Sequence, residues 1–492
     1  MQERELHVDE EGCVPKISEV SDNPRVPWTI IELRGTDQLY PPVTIEVLPN
    51  TVLLEMFSFY VDRLRDDADG WHTLVHVCRR WRFVVFDSPR RLNLRLLCTP
   101  KRPRNMLDIW PPLPIVIDFA ISRRLTDIVN IIAALEQHCR VRKIHIRGSP
   151  NFLMEEFAAM KKPFPELTSL KLHSDDENVP ILRDSFLGGS APRLHTLKLY
   201  GIPFPAVRKL PLSSRNLVTL RLWFIPHSGY ISPEAMVTCL SALTVLKSFD
   251  LGFRSPRVGG GTQHVPPLTR NVLAALTNFT FKGNSEYLEA TVSLINTPLL
   301  DHFKISFFNQ LIFDTPLLRH FISRTEIIKE HNRATVAFHT RRTEVRFLRK
   351  EGTTIHEGLF FLEIPCTPMD WQLSSLAQLC SLSLPPLYTL EHLNILSYRL
   401  HWQDDIETTQ WLELLYPFTS VKHLFVSDGL VPLVAPALQE LAGERVTELL
   451  PMLQNLSFKG LQQSKPVEEA IRQFIAARQL SGHPVAVLGH EV

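Results

Sequence analysis

The chain of 492 residues carries 53 Lys+Arg against 52 Asp+Glu, a formal net charge of +1, and is 44% hydrophobic and 21% charged. Those proportions exclude a largely disordered chain, and the charge balance gives no global drive toward nucleic acid or an anionic membrane surface. At roughly 100–200 residues per domain, the length suits two to four ordinary domains, or one long repeat array with a small companion.

The seven cysteines are an odd number, and no two lie within three residues of each other. That spacing argues against a disulfide framework or a zinc ribbon and predicts a reducing, intracellular compartment, cytoplasmic and/or nuclear. The charged stretch Met1–Gly12 has no signal-peptide character, and the longest apolar stretch, Met106–Ile121, is broken by Pro111, Pro112, Pro114 and Asp118. A soluble protein without a membrane partner is therefore expected. Prolines number 37 and glycines 20, a ratio that suits stiff, ordered connections.

Residues 1–42 are acid-rich, contain Pro15, Pro24 and Pro27, and are expected to form a flexible N-terminal tail. Pro49 then stands at the start of a predicted helix through Leu54, Phe57 and Val61. A polar break, Asp62–Gly70, separates it from a second predicted helix, about Trp71–Phe86, which Ser88-Pro89 stops. The first helix is apolar on nearly every face: Val52, Leu53, Leu54, Met56, Phe57, Phe59, Tyr60 and Val61. A helix apolar all round must be buried all round, and a unit of about 55 residues rarely buries that much alone. The surplus predicts a protein partner or a tightly packed neighbouring domain. Arg79-Arg80-Trp81-Arg82 is basic, but Trp81 shares a predicted helical face with Leu74, Val77 and Cys78, which favours a core position over phosphate contact.

Beyond about residue 110 a repeat emerges. The pattern L-x-x-L-x-L, with apolar substitutes, starts at Val141, Leu167, Leu194, Leu217, Leu246, Leu276 and Leu300. These starts lie close to the 20–29-residue period of leucine-rich repeats. Later matches start at Leu359, Leu379, Val421 and Leu453, with poor register between 318 and 379. The last two apolar residues of each motif lie two apart, so both point to one side of a short strand. Segments such as Leu125–His138 and Ile231–Leu243 can supply helices between strands. No single unit buries its apolar side, but stacked units share a core. The predicted fold is α/β: a small helical module at 43–100, then an irregular repeat solenoid with a parallel sheet at 101–492.

The residue between the two inward leucines faces the open side of such a sheet. Those positions are His145, Lys171, Lys198, Arg221, Asp250, Thr280 and Lys304, flanked by residues such as Tyr200, Trp223 and Lys282. Cations dominate this column, so Lys171, Lys198, Arg221, Trp223 and Lys304 are the candidate surface for an acidic or phosphorylated protein.

Motifs for chemistry are missing. Gly259-Gly260-Gly261-Thr262 lacks the Gly-Lys-Ser/Thr of a phosphate loop, and His356-Glu357 lacks a second His four residues on. No G-x-S-x-G occurs, and Asp175-Asp176-Glu177 and Asp404-Asp405 lack calcium-loop spacing. No catalytic residue, metal site or cofactor is expected.

Leu48-Pro49, Leu53-Leu54, Phe57, Trp71–Leu74, Val77–Arg82 and Ser88-Pro89 together resemble an F-box. The continuation Arg90–Thr99, with Leu113–Ile117, Phe308–Pro316, Asp370–Ala377 and Ala476–Pro484, resembles a large family of mushroom-forming fungi in which an F-box precedes irregular leucine-rich repeats. The likeness covers roughly 43–490; it departs from the family at Asn50-Thr51, where an acidic residue or proline is usual, and in the long break at 62–70. It implies that Leu48, Pro49, Leu53, Leu54, Phe57, Val77, Cys78 and Trp81 bind or support the Skp-type adaptor of a cullin-RING (SCF-type) ubiquitin ligase, and that the repeats select a protein substrate. The alternatives are a leucine-rich-repeat scaffold outside any ligase, and a nucleic-acid binder using Arg79–Arg104.

Overall fold

The computed structural model describes residues 45, 47–63, 70–98, 106–120, 125–149, 160–174, 181–182, 185–203, 213–256, 269–310, 312–325, 331–349, 360–384, 387, 389–398, 406–441, 444–459 and 465–490. The expected tail at 1–42, and the glycine-rich, His356-Glu357 and acidic-loop segments considered above, lie outside them. By internal contacts the chain divides between Leu53 and Leu54. Of the first unit, the described residues are Ile45 and Val47–Leu53.

Helix α1 spans Asn50–Arg63. It begins where expected: the Pro49 carbonyl accepts from the N–H groups of Val52 at 3.0 Å and Leu53 at 3.1 Å. The single helix expected over Trp71–Phe86 is two, α2 (Gly70–Val75) and α3 (Arg79–Asp87). Cys78 breaks it: its backbone is extended and its Sγ accepts from the N–H of Trp81 at 3.4 Å, capping α3. Leu74 is buried, but Val77 and Cys78 lie in the break and are exposed. The Trp71 indole donates from Nε1 to the carbonyl of Arg95 at 2.9 Å and meets Trp110 edge-on, tying α2 to the chain entering the sheet.

The second unit is mixed α/β, dominated by a 16-stranded, mostly parallel sheet. Its first strands are β1 (Leu96–Cys98), β2 (Ile115–Ala120), β3 (Val141–Arg147), β4 (Ser169–His173), β5 (Thr196–Tyr200), β6 (Thr219–Ile225) and β7 (Ser248–Phe253). The sheet thus starts at Leu96, within the stretch read as the helical module. The short strands β8 (Asn271–Val272) and β10 (Ile295–Asn296) form a separate parallel pair. The main sheet continues with β9 (Asn278–Gly283), β11 (His302–Phe307), β12 (His331–His339), β13 (Arg342–Arg349), β14 (Phe360–Ile364), β15 (His392–Ser397), β16 (His423–Val426), β17 (Asn455–Lys459) and β18 (Ala486–His490).

The apolar motif sets the register. Ile144, Leu170, Leu197, Leu220, Phe249, Phe279 and Phe303 pair strand to strand in one row. Ile146, Leu172, Leu199, Leu222, Leu251, Phe281 and Ile305 form the next. Every member of both rows is at most 1% exposed, so the stack removes each side chain from water, stabilising by about 1.5–3 kcal/mol per residue. In-register pairing also stacks the rings of Phe249, Phe279 and Phe303, with centroids 5.4 and 5.2 Å apart and planes 16° from parallel.

The parallel order breaks where the motif loses register. Leu318 and Phe321 lie in a helix, Pro316–Arg324. β12 and β13 form an antiparallel hairpin across Thr340-Arg341, and β14 returns antiparallel to β13 and parallel to β11. The motif at Leu379 is not a strand either: Leu379–Ser383 is a π-helical turn continuing the helix Met369–Gln378. The strand comes later, at β15, where Leu390, Leu393 and Ile395 carry the same spacing and are buried.

Two buried charged groups hold the helical layer. Glu289, on the helix Ser285–Leu294, accepts from the N–H groups of Leu317 at 2.9 Å and Leu318 at 2.6 Å, so it caps the following helix. Burial pushes its carboxyl up to about 7; the two N–H bonds act in the opposite direction and Asp314 adds to the rise. Arg478, on the helix Lys465–Leu480, is fully buried and donates to the carbonyls of Val446, Pro451 and Leu453 at 3.1–3.2 Å. Burial lowers its pKa.

Candidate functional site

The residues expected to meet an adaptor divide into two kinds. Leu53, Leu54 and Phe57 are buried, at 0%, 8% and 2% exposure, and serve as support. Phe57 packs against the half-buried Trp81 with centroids 4.7 Å apart, and Arg91 pairs with Glu55, joining α1 to the chain beyond α3. Pro49, Val77 and Cys78 are exposed and Leu48 is half-buried. The large exposed apolar side chains include four that the expected set omits: Met56 at 44%, Phe59 at 70%, Tyr60 at 39% and Phe83 at 64%. They stand on the two helices that meet at Phe57 and Trp81. The all-round apolar pattern of α1 held the signal for Met56, Phe59 and Tyr60. Phe83 became visible only once α3 was oriented by Trp81, Val84 and Val85. Arg82, in the basic run, donates from Nε to the Val75 carbonyl at 3.0 Å and so serves the break between α2 and α3.

On the face of the sheet opposite the apolar rows, Lys171, Lys198 and Arg221 occupy consecutive partner positions on β4, β5 and β6. Paired strands lie about 4.8 Å apart, so these cations raise a shared potential. Lys198 shows the effect: burial, then Arg221 and Lys171, lower its pKa, against Asp250. Lys304 does not join them. Asp250 and Thr280 occupy the two positions between it and Arg221. Its ammonium sits 4.5 Å from the ring centroid of Phe361, which Arg346 also approaches at 5.2 Å.

Arg221 is not a free cation. It forms an ion pair with Asp250, whose side chain is almost entirely buried, and donates from Nη1 to the Tyr200 hydroxyl at 3.1 Å. Burial opposes its charge, but Tyr200 and Asp250 more than offset that, and its pKa is raised. At the other end of the column His145 lies 3.2 Å from Asp118. The cationic excess read from the sequence is therefore partly neutralised, leaving the half-buried Lys171 and Lys198 as its main carriers on these strands.

Trp223 lies flat against β7. A Cβ on Gly252 would come within 2.7 Å of its ring, so only glycine lets the indole rest there. The register slips between Leu222 and Ile225, and Phe224 adopts a left-handed φ of 55°. This bulge turns Phe224 to the open side, where Lys282 stands 5.3 Å from its ring. The sequence carried no sign of it, since a phenylalanine at positive φ has no local signature.

Among the described residues no group of three or more His, Cys, Asp or Glu is placed to hold a metal, the six cysteines form no disulfide, and no helix is long and apolar enough to cross a membrane. No protein-family model and no curated protein matches the chain.

Proposed function

We propose that this chain is the substrate-recognition subunit of a cullin-RING (SCF-type) ubiquitin ligase. An F-box-like segment at 43–100 binds the Skp-type adaptor, and a leucine-rich-repeat solenoid at 101–492 holds a protein substrate. The chain performs no chemistry itself; it raises the effective concentration of substrate lysines near a conjugating enzyme. The observation that carries the reading is the set of exposed apolar side chains Met56, Phe59 and Tyr60 on α1, Val77 in the break before α3 and Phe83 on α3, on a scaffold fixed by Phe57 and Trp81. Exposed aromatic and aliphatic anchors over a rigid base suit a protein interface. The motif resemblance names the partner.

The test is capture of a purified Skp-type adaptor by the full chain. Phe59→Glu with Phe83→Glu, and separately Leu48→Ala with Pro49→Ala, should each reduce capture at least tenfold with the thermal midpoint unchanged. Undiminished capture in both double variants, or none by the wild type, would sink the F-box reading and leave a scaffold outside any ligase. The substrate surface is proposed at Lys171, Lys198, Arg221, Trp223 and Lys304. Its test is Lys171→Glu with Lys198→Glu, which should abolish substrate retention and spare the adaptor. Reversal of Arg221 is a poor probe, because it strands the buried Asp250 carboxylate.

A further inference from the structure

A second polar surface lies on the same face of the sheet, six strands beyond β6. β12, β15 and β16 place Arg333, His392 and His423 at consecutive partner positions. Asn394 stands two residues along β15 on the same face, and Ser457 follows on β17, partnered with Phe425. These side chains line an open cavity of about 410 Å³ that contains no carboxylate among its described lining residues. Glu391, which precedes His392, is paired with Lys422 at 2.7 Å.

The two imidazoles stack, with centroids 4.4 Å apart and planes 9° from parallel. The Asn455 side-chain nitrogen lies 3.0 Å from Nδ1 of His423. An amide nitrogen only donates, so Nδ1 accepts and the proton of the neutral ring sits on Nε2. His423 is thereby held as a donor through Nε2–H. Arg333 adds a guanidinium fork, Asn394 an amide and Ser457 a hydroxyl. A cavity rich in donors, with a fixed positive charge and no carboxylate, fits a ligand that only accepts.

We propose that this cavity binds a phosphate group, with Arg333 supplying the charge-assisted contact and His392, His423, Asn394 and Ser457 the remaining hydrogen bonds. Phosphate is favoured over carboxylate because the donors line the cavity from four neighbouring strands, β12, β15, β16 and β17, and tetrahedrally disposed oxygens can face more of them than two coplanar ones. The site is distinct from the Lys171 and Lys198 surface and does not depend on the ligase reading. The phosphate can come free in solution or be carried on a protein side chain.

Isothermal titration of the full chain at fixed ionic strength decides the matter, with inorganic phosphate and a capped Gly-phosphoserine-Gly peptide as probes. Saturable binding of at least one probe at millimolar concentration or below is expected. Arg333→Gln and His423→Leu should each weaken it at least tenfold, and Lys198→Glu should leave it unchanged. Tighter binding of the peptide assigns the site to a phosphorylated protein; equal or tighter binding of inorganic phosphate assigns it to a free anion. Absence of binding by both probes overturns the proposal, as does binding that survives Arg333→Gln or falls equally with Lys198→Glu. Arg333 is exposed, so its substitution should keep the fold, which an unchanged thermal midpoint checks. Should that variant unfold, phosphorus NMR of the wild type and of His423→Leu applies: broadening of the phosphate or peptide resonance that His423→Leu leaves undiminished is equally fatal.

Discussion

The helices between Asn50 and Asp87 and the strands β4–β6 are built from the same apolar residue types, and they dispose of them differently. In the strands Leu170, Leu172, Leu197, Leu199, Leu220 and Leu222 are at most 1% exposed. In the helices Phe59 and Phe83, and in the break between them Val77, remain more than half exposed. A strand inside the sheet has an in-register neighbour on each side, so every inward side chain finds partners along its row. The short helices have one packed side, the one carrying Phe57, Trp71 and Val85, and their surplus apolar residues stay in water. An apolar residue in the stack therefore holds the fold, and one on the outer side of α1 or α3 is free for another molecule.

The largest test of that contrast is Leu197→Ala. It leaves a cavity in the middle of the row, and chemical denaturation should show a loss of roughly 2–5 kcal/mol. A loss below about 1 kcal/mol would mean the rows do not act as a continuous core. Arg478→Leu comes next. It strands the carbonyls of Val446, Pro451 and Leu453 in a buried place, which should cost about 2–3 kcal/mol in the same measurement. An unchanged midpoint would show that packing of the arginine stem, and not its hydrogen bonds, matters there.

A smaller effect is expected from pH. Glu289 titrates at about 7 in the folded chain against its ordinary 4.5, because burial disfavours the charged form. Its contribution to stability is complete below about 4.5 and is lost as pH rises through about 7, since the unfolded chain releases its proton first. The stability difference between wild type and Glu289→Gln should therefore shift against the wild type between pH 5 and pH 8 and level off above that. A difference independent of pH would contradict the raised value. Smallest of all, Phe59→Ala should change stability by no more than about 0.5 kcal/mol, as expected for an exposed position. A larger loss would move Phe59 from the interface to the core and weaken the contrast itself.

The repeat was legible because its cause is local. An apolar residue at every second position fixes which side of a strand is buried, and the recurring spacing brings the next strand alongside in the same register. Leu170, Leu197 and Leu220 pair as their motif predicts. The same rule failed at Leu379, where L-x-x-L-x-L also fits a helical turn, and it passed over Leu390, Leu393 and Ile395. Had that frame been taken, His392 and Asn394 would have fallen at open-face positions, and half of the candidate phosphate cavity would have been visible. The other half needed β12, which reaches β15 only through a reversed hairpin.

The α/β class, the inward rows, the start of α1 at Pro49 and the surplus of apolar residues on α1 can all be read from the order of residues alone. Each follows from periodicity or from a residue's own backbone preference, which act over a few residues. The packed chain was needed to reveal that Cys78 splits the second helix and that β13 runs backwards. It alone paired Arg221 with Asp250, left Lys304 out of the cationic group, and aligned Arg333 with His392 and His423. Those outcomes depend on which strand becomes whose neighbour and which charge lies within reach of another. Such distances are set when the chain packs, between residues that can be close in space and a hundred positions apart in sequence.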